Sequence, residues 1–342
     1  MVRSALAMPG AALTVVLMLA ACSTGTGPTS PTPQATVPVA AGPTADASLA
    51  PPTSRIAFGV RAGEGTNIFS MIPDGTDMRQ LTTDTGNHLC ASYSADASQV
   101  AYCGDGSGNW EIWTIQADGT GPKQLTNLKG RALFPDASHD GKKVAFGGVQ
   151  GTDTHNEIYV VDASTGDGLV ALTRCAGLAA GCYNDYPAWS PNDEQIVYIH
   201  ADDKVNDVFV NEQVWMMNAD GSNQHPLTTD SLPKDQVPNW SPDGKSIVYS
   251  SGAMTSEGIW VMKSDGSGQR QLSGCLPGQP SPCAAGDDFG PVWSPDGSRI
   301  AFLRSFQDVG TNDRPIYVMN ADGSDQHRVI AEMILAAVPS WK

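Results

Sequence analysis

The stretch Pro238-Asn239-Trp240-Ser241-Pro242-Asp243-Gly244-Lys245-Ser246-Ile247-Val248-Tyr249 returns, little changed, as Pro291-Val292-Trp293-Ser294-Pro295-Asp296-Gly297-Ser298-Arg299-Ile300-Ala301-Phe302. Each copy leads into a second apolar run, an Asp-Gly pair and a short segment of Gln-Leu-Thr type. The Trp position falls at Tyr93, Ala137, Trp189, Trp240, Trp293 and Trp341, at steps of 44, 52, 51, 53 and 48 residues. Periods of this size belong to solenoids, propellers or arrays, whose units bury apolar faces against their neighbours.

Within the units, Ile56-Ala57-Phe58, Val100-Ala101-Tyr102 and Ile196-Val197-Tyr198 read as second strands. Ile112-Trp113-Thr114-Ile115 and Ile259-Trp260-Val261-Met262 read as third strands. Short apolar runs without polar alternation are buried on both faces, as in a radial stack of sheets. Ser-Pro-Asp-Gly suits a type I turn, and pairs such as Asp118-Gly119 mark hairpins. The expected fold is all-β: a six-bladed β-propeller of four-stranded antiparallel blades. The first unit begins at Arg55-Ile56 with its second strand, and the last Trp segment, Val338 to Trp341, has none after it. The C-terminal strand is therefore expected to close the ring as the innermost strand of blade 1, leaving no open sheet edge.

These repeats resemble those of TolB-type propellers, the Pro-Asp relatives of WD repeats, over residues 54–342. Trp189, Trp240 and Trp293 with their following Ser-Pro carry the likeness, which is degenerate at Tyr93-Ser94-Ala95-Asp96 and Ala137-Ser138-His139-Asp140. The resemblance implies a binding scaffold of the cell envelope. TolB itself has an α/β domain before its propeller; here a different N-terminal segment stands in that place.

Arg3 and the apolar run Ala11 to Ala21, too short to span a bilayer, end in Leu19-Ala20-Ala21-Cys22, which resembles the bacterial lipobox. Residues 1–21 read as a lipoprotein signal peptide and Cys22 as the lipidated residue. Residues 22–53 are nearly all Thr, Pro, Ala, Ser, Gly and Val, a composition too poor in apolar surface to fold, and read as a disordered tether. The expected location is the bacterial envelope, exported and membrane-anchored. A formal net charge of -16 argues against nucleic acid and anionic lipid surfaces as partners. An envelope protein, peptide or glycan, bound by a monomer, is expected instead.

Six cysteines remain, an even number suited to disulfides in an exported chain. Cys175 with Cys182, and Cys275 with Cys283, each bracket a loop. Cys90 and Cys103 flank a hairpin, and a four-residue turn through Ala95 to Ser98 would align them. No two are spaced Cys-x-x-Cys, which disfavours metal binding.

With strands A to D running outward from the axis, A–B and C–D turns share one face and B–C and D–A loops the other. The turns are tight; the loops vary, being long over 147–157, 199–212, 303–314, 175–185 and 275–288. Binding residues favour such loops on a rigid scaffold. His88, Asp185, Asp235 and Asp288 are candidate ligand-binding residues ringing the channel mouth, with Tyr186, Phe289 and Trp110 as aromatic contacts. Equally, repeat-matched carboxylates can hold the blade tops. Asp105 to Glu111 offers oxygens at alternate positions but lacks the Gly and distal Glu of an EF-hand.

No catalytic residue set is evident, since neither Gly-x-Ser-x-Gly nor His-Glu-x-x-His occurs. One enzymatic alternative stays open. Some oligosaccharide lyases resemble this repeat family and use a His-coordinated metal, for which His88, His155 and His200 would serve here. No cofactor is expected, with a divalent cation, calcium or manganese, left open.

Overall fold

The computed structural model describes residues 54–62, 65–175, 182–205, 208–229, 235–252, 257–274, 287–305, 314–330 and 338–342. Among them, six four-stranded antiparallel sheets form the blades of a propeller. Blade 2 shows the plan, with strand A at His88–Tyr93, B at Gln99–Gly104, C at Glu111–Gln116 and D at Lys123–Gln124. Blades 3 to 6 repeat it from A strands Arg131–Ala137, Tyr183–Trp189, Asp235–Trp240 and Asp287–Trp293. The B strands reach Val149, Ala201 and Ser305, so three loops begin later than the sequence suggests. The blade 4 loop holds its own hairpin, Asp203–Val205 with Val208–Val210.

Blade 1 takes its A strand from the tail, in the order Ser340–Trp341, Ile56–Ala62, Gly65–Met71, Arg79–Gln80. Trp341 pairs with Ile56 and Ser340 with Ala57. Arg55 and Lys342 exchange backbone hydrogen bonds, and the Trp341 indole N–H donates to the Ser54 hydroxyl at 2.7 Å. The expected closure is what the chain adopts.

The core is divided among the blade interfaces. One apolar cluster joins Ala57 and Ile68 to Tyr93 and Tyr102, and another joins Ile56, Phe58 and Trp341 to Val292, Leu303 and Ile316. The B-strand aromatics Phe58, Tyr102, Phe146, Tyr198, Tyr249 and Phe302 are at most 1% exposed. Each such burial stabilises by about 1.5–3 kcal/mol.

Two repeated residues tie this packing together. In blades 1 to 4 the Thr after strand D accepts an N–H near the start of strand C, as from Ile112 to Thr126 at 2.8 Å and from Ile158 to Thr173 at 2.9 Å. In blades 2 and 3 its hydroxyl then donates to a buried carboxylate, Glu111 or Glu157, at 2.6 Å. The glycine of each C–D turn lies against the previous blade. A Cβ on Gly221, at φ 84°, would stand 2.7 Å from the Leu172 carbonyl oxygen. Backbone conformation and neighbour both require glycine there.

Disulfides join Cys90 to Cys103 and Cys175 to Cys182, with Cα separations of 5.6 and 5.1 Å. The four-residue turn through Ala95 to Ser98 expected for the first is present, with the Ser94 N–H donating to the Gln99 carbonyl at 2.9 Å, and it is the turn length of other blades as well. Tyr93 pairs with Val100 just as Trp240 pairs with Ile247. A bulge between Leu89 and Ser92 then shifts the pairing by one, so that Leu89 stands opposite Cys103 and Cys90 reaches it from the next position. Cys22, Cys275 and Cys283 lie outside the described residues.

Trp341→Ala should cost about 3–5 kcal/mol of stability in denaturant titrations, as for other buried Trp truncations. Deleting residues 336–342 should abolish the cooperative monomer; an unchanged melting transition would contradict closure by the tail.

Candidate functional site

The A strands of blades 2 to 6 all break register at one place. The residue at the break has positive φ: Cys90 57°, Phe134 51°, Tyr186 52°, Val237 51° and Gly290 62°. That backbone is unfavourable for every residue but glycine, most of all for β-branched Val237. The next residue is Pro135, Pro187, Pro238 or Pro291, with Pro339 in the tail and Ala91 in blade 2. A bulge leaves one residue without a ladder partner, and proline has no N–H to leave unsatisfied.

Three residues from the innermost segment of each of blades 1 to 5, and two from blade 6, thus face the axis and enclose a cavity of about 70 Å³. Cys90, Phe134, Tyr186, Val237 and Val338 form its mouth on the loop side, and the prolines its middle. Phe134 and Tyr186 stack with ring centroids 3.9 Å apart. Ser92, Asp136, Ala188, Asn239, Val292 and Ser340 surround the turn-side end. There the polar members lace neighbouring blades. Ser340 Oγ accepts the Tyr93 N–H at 3.0 Å, Asp136 Oδ2 that of Trp189 at 2.8 Å, and Asn239 Oδ1 that of Trp293 at 3.3 Å.

The four polar candidates do not stand around the mouth. Asp185 and Asp288 are 0% exposed, Asp235 1% and His88 2%. They lie inside the A strands, where sequence counting placed them just before. Asp235 Oδ2 accepts the Thr228 hydroxyl at 2.5 Å, and Asp288 takes a two-pronged contact from Arg304 at 2.6 and 2.7 Å. His88 Nε2 meets Asp84 Oδ1 at 2.5 Å. Asp185 accepts the Tyr183 hydroxyl at 2.6 Å and lies against Gly147, where any Cβ would overlap it. Burial lifts the Asp185 carboxyl to about 6, with Arg131 pulling the other way. Burial also raises Asp288, against the pull of Arg304.

Of the aromatic candidates, Tyr186 faces the channel. Phe289 does not, because Gly290 holds the bulge in blade 6; Phe289 packs on the blade 6–blade 1 cluster with the Arg314 guanidinium 4.8 Å above its ring. Trp110 packs against the cluster between blades 2 and 3. Phe134 escaped the sequence reading, though its signal was present: proline two residues before the Trp position marks the bulge in four of the five blades that carry it.

The histidines are held apart. His155 Nδ1 meets Asp153 at 2.7 Å, and His200 Nδ1 meets Asn184 Oδ1 at 2.8 Å beside Trp215. Among the described residues, the group of potential metal ligands brought close together is Glu157, Cys175 and Cys182, whose two sulfurs share a disulfide. The oxygens of the calcium-like stretch diverge: Asp105 accepts from Asn87, while Glu111 accepts from Thr126 and Lys129.

The TolB beta propeller domain family matches residues 32–227, more than half of the chain. The chain belongs to that family. The match begins within the segment read as a tether and ends in blade 4, whereas the sheets carry the repeat on to Trp341. TolB from Acinetobacter baumannii is similar at 17% identity and TM-score 0.65, over 84% of this chain; this chain spans only 66% of that one. A putative TolB from Agrobacterium tumefaciens is 18% identical with TM-score 0.61, covering 81% of this chain and 88% of its own. An oligogalacturonate lyase in complex with manganese is 15% identical with TM-score 0.51, covering 80% and 72%. At such identities the likeness shows the fold alone. No curated protein matches the chain in sequence.

Asp185→Asn tests the buried carboxylate. A carboxyl raised from 3.8 to about 6 favours the fold most below pH 3.8 and loses that contribution as pH rises through 6. The variant should therefore gain up to about 3 kcal/mol over the parent at pH 7.5, an advantage that vanishes near pH 4. Chemical denaturation at both pH values measures it.

Proposed function

We propose that this TolB-type propeller is a binding scaffold of the bacterial cell envelope, exported and anchored through lipidated Cys22. Its partner, a protein, peptide or glycan, is met on the face that carries the B–C and D–A loops. The contrast between the two faces carries this reading. On the turn face each Asp accepts the backbone N–H two residues on, as from Thr120 to Asp118 at 2.9 Å and from Ser324 to Asp322 at 2.9 Å. Such self-satisfied turns leave few groups to recognise a partner. On the loop face the channel opens through an uneven mouth, with the Phe134–Tyr186 stack on one side and small Val237, Gly290 and Val338 on the other. An apolar wall beside polar loops is the usual make-up of a ligand site on a rigid scaffold. The net charge of -16 favours a partner with basic groups.

The metal-assisted lyase needs His88, His155 and His200 on one ion. Their separate bonds to Asp84, Asp153 and Asn184 favour binding over that alternative.

A photo-crosslinking residue in place of Asn109 or Asp153, on the loop face, should trap an envelope component in intact cells. The same residue in place of Thr120 or Ser267, on the turn face, should trap none. Trapping from the turn face alone, or equally from both, would overturn the assignment.

A further inference from the structure

We infer that the loop-bearing face is turned away from the bilayer that holds the anchor, so that its partner is met beyond the propeller and is not a headgroup of the anchoring membrane. This orientation presupposes the lipidation of Cys22 proposed above and adds where the two faces stand.

The exit of the chain decides the direction. Ile56 opens strand B of blade 1 and pairs with Met71, the last residue of strand C, so Ser54 and Arg55 sit at the level of the C–D turn. Arg55 is pinned there. Its guanidinium donates to Asp77 Oδ2 at 2.7 Å, to the Asp77 carbonyl at 2.7 Å and to the Ser70 hydroxyl at 2.6 Å. Ser54 is held by the Trp341 indole at 2.7 Å. Whatever precedes Ser54 therefore departs from the turn face and has no hinge inside the fold.

Residues 23–53 separate the lipid site from that exit. Read as the tether their composition implies, they would span about 30 Å end to end. A six-residue strand makes the disc about 20 Å tall. To bring the mouth to the bilayer, the segment would have to run around the rim and spend most of that reach, which biases the turn face toward the membrane.

Charge acts the other way at short range and keeps that face from pressing onto the lipid. Asp74, Asp118, Asp162, Asp220, Asp265 and Asp322 stand one per blade at the C–D turns. Hydrogen bonds from neighbouring Ser or Thr hold each below the ordinary carboxylate range. They stay ionised and repel anionic headgroups within a Debye length, about 8–10 Å. The face hovers over the bilayer without adhering to it.

Energy transfer to the membrane tests this. Single cysteines replacing Thr120 and Asn109 lie at opposite ends of strand C, Glu111–Gln116, one on each face. Each full-length lipidated chain, carrying a donor dye, is placed on phosphatidylethanolamine–phosphatidylglycerol vesicles that contain an acceptor lipid. Transfer from T120C should exceed that from N109C on the order of twofold, given a height difference of about 20 Å. Equal or reversed transfer from a lipidated chain overturns the orientation alone. If mass spectrometry finds no diacylglyceryl group on Cys22, the anchoring and the orientation fall together.

Discussion

Ser340 and Trp341 lie against Ala57 and Ile56, and through that pairing six small sheets become one body. No blade carries a core of its own, because each cluster takes its residues from two neighbours. Stability in such an array is a sum over nearest-neighbour interfaces. An open chain of six blades has five. The tail strand supplies the sixth and covers faces that would otherwise expose Ile56, Phe58, Leu303 and Ile316. It is also the contact most distant in sequence, and so the costliest to bring together.

Closure gives the channel its character. Packed A strands can hold Cys90, Phe134, Tyr186 and Val237 in a left-handed backbone that none of them favours. The bulge turns those side chains into the axis, the following proline removes an unpaired donor, and the next polar residue bonds across to the neighbouring blade. One local distortion, repeated, makes mouth, wall and floor. Because A–B and C–D connections are fixed by turn chemistry and glycine contacts, variation is left to the opposite face. That division is what the proposed recognition surface on the loop side rests on.

The architecture was legible because the signals recur. Period, strand runs, turn residues and unmatched ends all pointed to one ring, and the spacing of Cys175 and Cys182 pointed to a bond. The site was less legible, for a physical reason. Counting back from the Trp position assumes continuous alternation of side chains, and a bulge breaks that alternation. Tyr186 and Phe289 looked equivalent from their neighbouring aspartates, yet one enters the channel and the other leaves it. Asp185, Asp235 and Asp288 looked like a rim because carboxylates are normally solvated; here hydroxyls, an arginine and a glycine-made space let them be buried. The histidines looked convergent because sequence reports the face of the disc but not the position around it.

Native-state hydrogen exchange at the junction bears most directly on the account. The Arg55 and Lys342 amides donate across the closing pair. If closure makes the ring one cooperative unit, they should exchange only through global unfolding, at the same free energy as Val248 in blade 5. Exchange many times faster than at Val248, with the other blades still protected, would mean that the tail frays from an independently stable array. The single-body account would then be contradicted.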